Sequence, residues 1–158
     1  MLRLLSQNTK ATLMVRLLAI TKIPLMFFCR PKVLSIDDES VTIVIPLKRR
    51  TKNHVGSMYF GALSIGADLA GGYLAMHHIN KNKCSVKILF KDFHADFLKR
   101  AMGDVHFVCN DGLKIKSLLQ KTIETKERVN DEVCINAYVP SKEGNEPIAK
   151  FTLTLSLK

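Results

Sequence analysis

A single carboxylate, Asp68, lies in a long stretch of otherwise uncharged sequence. It is the only formally charged side chain between Asn53 and Asn80, and the apolar pattern from about Met58 to His78 predicts one long helix. Burial in such surroundings disfavours the charged form of an aspartate and raises its pKa. A raised pKa suits a general base that works near neutral pH. Alternatively, Asp68 has a purely structural role, in which it pairs with a lysine or with backbone amides and takes part in no chemistry.

Two other groups on this helix are poor candidates for chemistry. Residues 62–66 differ by one position from the Gly-x-Ser-x-Gly nucleophile elbow, but that motif needs a strand before its serine, and Ser64 falls inside the predicted helix. The neighbouring His77 and His78 point about 100° apart on a helix. Together with Cys84 they form no recognised ligand spacing. The sequence therefore predicts neither a serine hydrolase nor a metal site.

The helix that carries Asp68 is unusually rich in glycine. Each interior glycine costs about 1 kcal/mol of helix stability relative to alanine, and close approach of neighbouring backbone is the usual compensation. We therefore expect other elements to wrap around this helix, and we prefer that to a membrane span because Asp68 lies mid-helix. The glycines between Asn53 and Asn80 are Gly56, Gly61, Gly66, Gly71 and Gly72.

Short alternating segments surround the long helix and predict strands. Alternation from Cys84 onward changes phase before Phe93, which indicates a β-bulge. The fold class is α+β, with a mostly antiparallel sheet. At 158 residues we expect a single domain, with residues 1–30 as an N-terminal helical extension and residues 33–158 as the core. The other predicted strands are 33–36, 41–45, 105–109, 133–139 and 151–157, and a short helix follows Gly112.

The N-terminal segment carries six cations and no acid as far as Ile36. It resembles a transit peptide, an interfacial helix on an anionic membrane, or a helix that packs on the domain with its cations in water. We favour packing, and no uncharged run reaches the roughly 20 residues that span a bilayer, so stable membrane insertion is not expected. The apolar stripe predicted to pack is Leu13, Leu17, Leu18 and Ile20.

Composition narrows the function classes further. The chain has a net charge of +10 and a pI near 9.6, which permits binding to nucleic acid. It contains no Trp, no interleaving of aromatic and basic residues and no RNA-binding signature, so a nucleic-acid partner is not expected. Four isolated cysteines without a Cys-x-x-Cys pair predict a reducing, cytoplasmic setting.

The stretch from Asn53 to Gly72 resembles the hotdog-fold acyl-CoA thioesterases of the phenylacetate-degradation type. Their pattern is Asn, five residues, His-Gly-Gly, six residues and Asp, and here it reads Asn53, Tyr59-Phe60-Gly61 and Asp68. The segment 53–62 is most similar to a thioesterase-like branch of unknown function. The resemblance implies a hotdog fold, in which an antiparallel sheet of about five or six strands wraps around the long helix.

The resemblance also implies roles for these residues in hydrolysis of an acyl-CoA thioester. Asp68 would activate water or attack the thioester carbon, and the Phe60 backbone N–H near the helix N-terminus would polarise the carbonyl. Asn53 would orient the carbonyl or the water. Related enzymes are homodimers or homotetramers with shared sites, so Asp68 would face Asn53 and Tyr59 of a second copy. No cofactor is implied beyond the coenzyme A of the substrate.

Basic and hydroxyl side chains near this motif are candidates for binding the substrate. Cations would meet the phosphates of coenzyme A, although a solvated loop is the simpler role for any one of them. The candidates are Arg49, Arg50, Lys52, His54, Ser64, Ser85, Lys99 and Arg100.

Two positions depart from the family pattern. Tyr59 replaces the His, and Phe60 replaces the first Gly of the pair. Tyr59 can donate a hydrogen bond but will not accept a proton near pH 7. An acyl-CoA binding protein without turnover is therefore the main alternative to a thioesterase, and a basic binder of nucleic acid or membrane surfaces is a second one.

Overall fold

The computed structural model describes residues 6–158; residues 1–5 of the predicted extension, with Arg3, lie outside the described part. The helices are α1 (Gln7–Lys22), α2 (Pro24–Phe28), α3 (Phe60–Lys81), α4 (Gly112–Thr125) and α5 (Pro140–Glu143). The strands are β1 (Lys32–Ile36), β2 (Val41–Ile45), β3 (Ile88–Phe97), β4 (Val105–Cys109), β5 (Val129–Tyr138) and β6 (Pro147–Leu157).

The six strands form one sheet in the order β1-β2-β4-β5-β6-β3, and every neighbouring pair is antiparallel. This confirms the predicted α+β class and the antiparallel sheet. The strand register shifts between Phe90 and Phe93, where the sequence predicted a bulge. Strands β1 and β3 form the two edges of the sheet.

Helix α3 packs against the sheet through its small residues. A Cβ atom on Gly66 would lie 2.3 Å from the ring of Phe107, and one on Gly71 would lie 3.3 Å from Val133. Phe107 is fully buried. The missing side chains therefore let the helix approach the strands closely, which recovers the helix stability that glycine costs.

Helix α3 begins two residues later than the sequence pattern indicated. Its N-cap residue is Tyr59, whereas the predicted start at Met58 would make Ser57 the N-cap. The Tyr59 N–H donates to the carbonyl of Thr51, 2.8 Å away, and Lys52 pairs with Met58 in an isolated bridge. Residues 52–58 are therefore closed into a tight loop, and Ser57 belongs to that loop.

The predicted packing stripe of the N-terminal helix is wrong. The side chains of α1 that are buried against the domain are the small ones, Ala11, Val15 and Ala19. Leu13, Leu17 and Ile20 instead face outward, and Leu18 is the member of the predicted stripe that is half-buried. Small residues allow the helix axis to lie closer to strand β1, and this close approach decides which face packs.

Among residues 6–158, no helix combines the length and the hydropathy that a membrane span requires.

Candidate active site

Asp68 lies on a half-buried face of α3 that the sheet does not cover. Its carboxylate makes no hydrogen bond or ion pair with any residue from 6 to 158. In the same range, every fully buried side-chain oxygen has a hydrogen-bond partner, so the carboxylate of Asp68 is not fully buried. Its oxygens therefore remain accessible. Burial of the surrounding surface raises the pKa of Asp68. The other half-buried residues on this face are Gly61, Ser64, Ile65, Gly72 and Met76.

An apolar cavity of about 480 Å³ opens beside Asp68. Its volume falls within the range of pockets that hold small organic ligands. Asp68 is the only ionisable carboxylate in the lining, so the cavity combines apolar surface with a single unpaired acid. Helices α1 and α2 supply Leu18, Ile23 and Met26, helix α3 supplies Leu69, Gly72, Tyr73 and Met76, and β3 supplies Ile88, Leu89 and Phe90.

The N-terminus of α3 presents two backbone amides without acceptors. Within residues 6–158, neither the Phe60 nor the Gly61 N–H donates a hydrogen bond. The side chains of Tyr59 and Phe60 are 50% and 59% exposed, and their rings meet edge to face at 5.0 Å. Free amides at a helix N-terminus favour a negative charge, such as a developing oxyanion.

Asn53 shapes the loop that leads into this helix. Its Oδ1 accepts hydrogen bonds from the N–H groups of Val55 and Ser57, both at 3.1 Å, and its Nδ2 donates to Ser57 Oγ at 2.9 Å. Gly56 adopts a φ of +85°, which closes the turn. In this chain Asn53 thus positions the loop and the amides that follow it; its predicted contact with a carbonyl or water is untested.

The acid and the free amides are separated within one chain. Asp68 follows Phe60 by eight residues, which corresponds to roughly 12 Å along a helix axis. The acid and the amides therefore lie about two helical turns apart along α3. This separation is compatible with the shared site that the resemblance implies, in which the acid and the amides come from different copies.

The inner face of the sheet carries exposed aromatic side chains at the β3 edge. Phe93 pairs with Leu153 and Phe97 pairs with Ala149 across the sheet, so both aromatic side chains lie on the inner face. Leu153 and Ala149 are buried, whereas Phe93 and Phe97 are 42% and 50% exposed. The inner face is thus uncovered at this edge, next to the face of α3 that carries Asp68.

Most of the predicted cationic residues lie together at the N-terminal end of α3. The Met58 N–H donates to the carbonyl of Ala101, which brings the loop of Arg49, Arg50 and Lys52 beside Arg100. All four cations are exposed, and none takes part in an ion pair within the described chain.

Three of the remaining candidates have other contacts or positions. Lys99 forms ion pairs with Glu143 at 2.9 Å and Glu146 at 2.5 Å, which raise its pKa. Ser64 Oγ donates to the Phe60 carbonyl at 3.0 Å, so its hydroxyl stabilises the first turn. Ser85 lies between α3 and β3, outside the cavity lining, while His54 is exposed at the loop tip near the free amides.

The sequence did not predict that helices α1 and α2 line the cavity beside Asp68. Leu18 was assigned to a packing stripe, and Ile23 and Met26 had no role, because nothing local shows that these helices reach α3. Gly72 was the one readable signal, since it follows Asp68 by four residues and so lies on the same face. Within residues 6–158, no three His, Cys, Asp or Glu side chains converge as metal ligands.

The sequence matches a described protein family over nearly its whole length. The sequence profile of a family described as "Domain of unknown function (DUF4442)" matches residues 11–157. No curated protein matches the chain significantly.

Several solved structures share the fold at low sequence identity. A protein of unknown function from Chlorobaculum tepidum has a TM-score of 0.82 at 13% identity, covering 95% of each chain. A Pseudomonas aeruginosa protein described as a "Probable Thioesterase" has a TM-score of 0.76 at 22% identity, covering 93% of this chain and 95% of its own. A Haemophilus influenzae thioesterase has a TM-score of 0.63 at 12% identity, covering 92% and 87%. The chain therefore adopts the thioesterase-like hotdog fold.

Proposed function

We propose, from the premise that the chain belongs to the DUF4442 family of unknown function, that it hydrolyses acyl-CoA thioesters as a homodimer or homotetramer. The observation that carries the proposal is the unpaired Asp68 carboxylate at an apolar cavity. Similar folds described as thioesterases, at low identity, support the same reaction class. A cytoplasmic location, where thiols stay reduced, fits the four free cysteines.

In the proposed reaction, the substrate carbonyl oxygen accepts hydrogen bonds from the Phe60 and Gly61 amides of one copy. Asp68 of the other copy removes a proton from water, and the resulting hydroxide adds to the thioester carbon. Negative charge collects on the carbonyl oxygen, where the amides and the helix dipole stabilise it. The C–S bond then breaks, the proton passes from Asp68 to the departing sulfur, and a carboxylic acid and coenzyme A are released.

The substrate is proposed to lie along α3, with its two ends in different surroundings. The acyl group enters the apolar cavity, because apolar surface leaves water there. The phosphates of coenzyme A lie near Arg49, Arg50, Lys52 and Arg100, which have no acidic partners within residues 6–158. Lys99 contributes less, since two glutamates already neutralise it.

The experiment is thiol release from short, medium, long and aromatic acyl-CoAs, with blanks for the protein's own cysteines. Asp68→Asn should lower turnover by orders of magnitude, because the amide cannot take a proton. Asp131→Asn is the matched control, since this surface carboxylate pairs with Lys114 at 3.5 Å, away from the cavity. Equal losses in both variants would contradict the role of Asp68.

One observation favours a second candidate, an acyl-CoA binding protein without turnover. Tyr59 stands where the resembling enzymes have a His, and it is half exposed beside Phe60. If neither the wild type nor Asp68→Asn releases thiol, while acyl-CoA raises the melting temperature of both, the binder replaces the enzyme.

A further inference from the structure

The outer face of helix α1 is apolar and open to solvent. Leu13, Leu17 and Ile20 are 50%, 61% and 52% exposed, and their spacing of four and three residues places them on one side of the helix. The opposite side packs on the domain through Ala11, Val15 and Ala19. The bulky side chains are therefore outside and the small ones inside, which reverses the usual arrangement of a helix packed on a protein.

The apolar surface continues onto α2. Leu25 is 66% exposed and Phe28 is 57% exposed, and Ile23 between the two helices is 43% exposed. We call the surface formed by Leu13, Leu17, Ile20, Ile23, Leu25 and Phe28 the outer face. Several large apolar side chains exposed on two neighbouring helices indicate a site of interaction.

The charged residues on the helices that form the outer face have one sign, and the Asp68 carboxylate lies beside Ile23 inside the cavity. Helices α1 and α2 and the residues up to Ile36 contain no acid. In the described chain, none of the cations Lys10, Arg16, Lys22, Arg30 and Lys32 takes part in an ion pair. The nearest acids in the sequence are 37–39, in the turn between β1 and β2, where Asp38 is bound by His77 and Lys81.

The combination of apolar and cationic side chains on the outer face fits an anionic membrane better than a second copy or nucleic acid. A second copy bound through the same face would bring the unpaired cations of both copies together, which is unfavourable. Nucleic acid would match the charge but not the leucines. An anionic phospholipid surface matches both, because the apolar side chains enter the acyl boundary and the cations meet the headgroups.

We propose that the outer face of α1 and α2 docks the protein onto anionic phospholipid membranes. The helices lie in the plane of the interface and do not cross the bilayer. Leu18, Ile23 and Met26 of the same helices line the Asp68 cavity. Docking therefore places one wall of the cavity at the lipid surface, where long acyl chains are concentrated. Membrane binding itself does not depend on the proposed hydrolysis.

The test is flotation of the whole protein with vesicles of phosphatidylcholine alone and with vesicles that also contain phosphatidylglycerol. We expect binding only to the second kind, and weaker binding as salt rises. Replacing one cation on the side of the outer face, as in Lys10→Gln three residues before Leu13, should weaken binding about fivefold. The double variant Leu13→Gln, Leu17→Gln should weaken it by on the order of tenfold or more. Leu113→Gln is the matched control, because Leu113 is 62% exposed on α4.

Circular dichroism and sedimentation of the lipid-free proteins complete the test. The exposed substitutions should leave folding and oligomeric state unchanged. Absence of binding to anionic vesicles, or equal binding by the double variant and the wild type, would overturn the proposal. So would a double variant that dissociates without lipid, since the outer face would then join copies of the chain. Loss of thiol release alone would affect only the proposed hydrolysis.

Discussion

The Phe60→Pro variant deletes one backbone amide from the N-terminus of α3 and leaves the helix in place. Phe60 is the first helical residue, a position where proline is favoured because its N–H has no intrahelical partner. The residue before a proline must be extended, and Tyr59 already has φ −64° and ψ 138°. The substitution therefore removes a proposed oxyanion donor without opposing the local backbone.

The expected loss follows from the role of that amide. Removal of one oxyanion donor typically lowers kcat about 10²- to 10³-fold, or about 2.7–4 kcal/mol of transition-state stabilisation. The neighbouring Gly61 N–H remains, so we expect the smaller effect, about 10²-fold. Loss of the Phe60 ring also removes its contact with Tyr59, worth about 0.5–1.5 kcal/mol.

Phe60→Ala separates the two effects, because it removes the ring and keeps the N–H. Thiol release at saturating acyl-CoA should be about 10²-fold slower for Phe60→Pro than for Phe60→Ala, while thermal unfolding gives similar melting temperatures. Equal kcat in two folded variants would refute the assignment of this amide to the oxyanion.

A mixture of Phe60→Pro with Asp68→Asn tests whether the site is shared between copies. Each variant alone is expected to be nearly inactive. A mixed dimer holds one site with both defects and one intact site, so a fully exchanged mixture should recover about a quarter of wild-type activity. No recovery in demonstrably mixed dimers would mean that Asp68 and the amide act within one chain.

Further predictions concern stability, pH and assembly. Because burial raises the pKa of Asp68, the folded state loses stability as pH rises from the ordinary aspartate pKa through the raised one. The Asp68→Asn variant should therefore be more stable than the wild type by on the order of 1 kcal/mol at neutral pH, as measured by urea unfolding. In acid, where Asp68 is protonated, this difference should disappear. Gly72→Ala should raise the melting temperature by about 2–4 °C, since its Cβ would meet Phe90 at an ordinary 3.6 Å. Gly66→Ala should lower it, because overpacking against Phe107 costs about 1–3 kcal/mol; the same sign for both alanines would contradict the packing. Phe93→Glu should give monomers in sedimentation and abolish thiol release, and unchanged dimers would exclude the β3 edge as the interface.

The central helix and the strands were readable from the sequence because local pattern and tertiary structure agree there. Alternation identified the strands, and the shift of phase before Phe93 identified the bulge. Gly66 and its neighbours predicted a helix that other elements approach closely, and the sheet does so. The uncharged surroundings of Asp68 similarly predicted a raised pKa, and partial burial raises it.

Three features of the structure could not be predicted from the sequence, because contacts between distant segments determine them. The packing face of α1 was assigned to leucines, but the distance to β1 favours Ala11, Val15 and Ala19. Helix α3 begins at Phe60 because the Tyr59 N–H is held by Thr51. Lys99 is neutralised by glutamates more than forty residues away in sequence. None of these outcomes has a local signature.

The lack of a partner for Asp68 bears directly on the choice between a structural and a functional role. A carboxylate that serves only the fold is normally paired or hydrogen-bonded, because an unpaired charge in apolar surroundings destabilises the protein. Asp68 has no such partner in the described chain, and Gly72 one turn later keeps the space beside it open. The group that completes the site must then come from a second copy, from bound water or from substrate. An unpaired carboxylate beside an open cavity is what the proposed hydrolysis requires of Asp68.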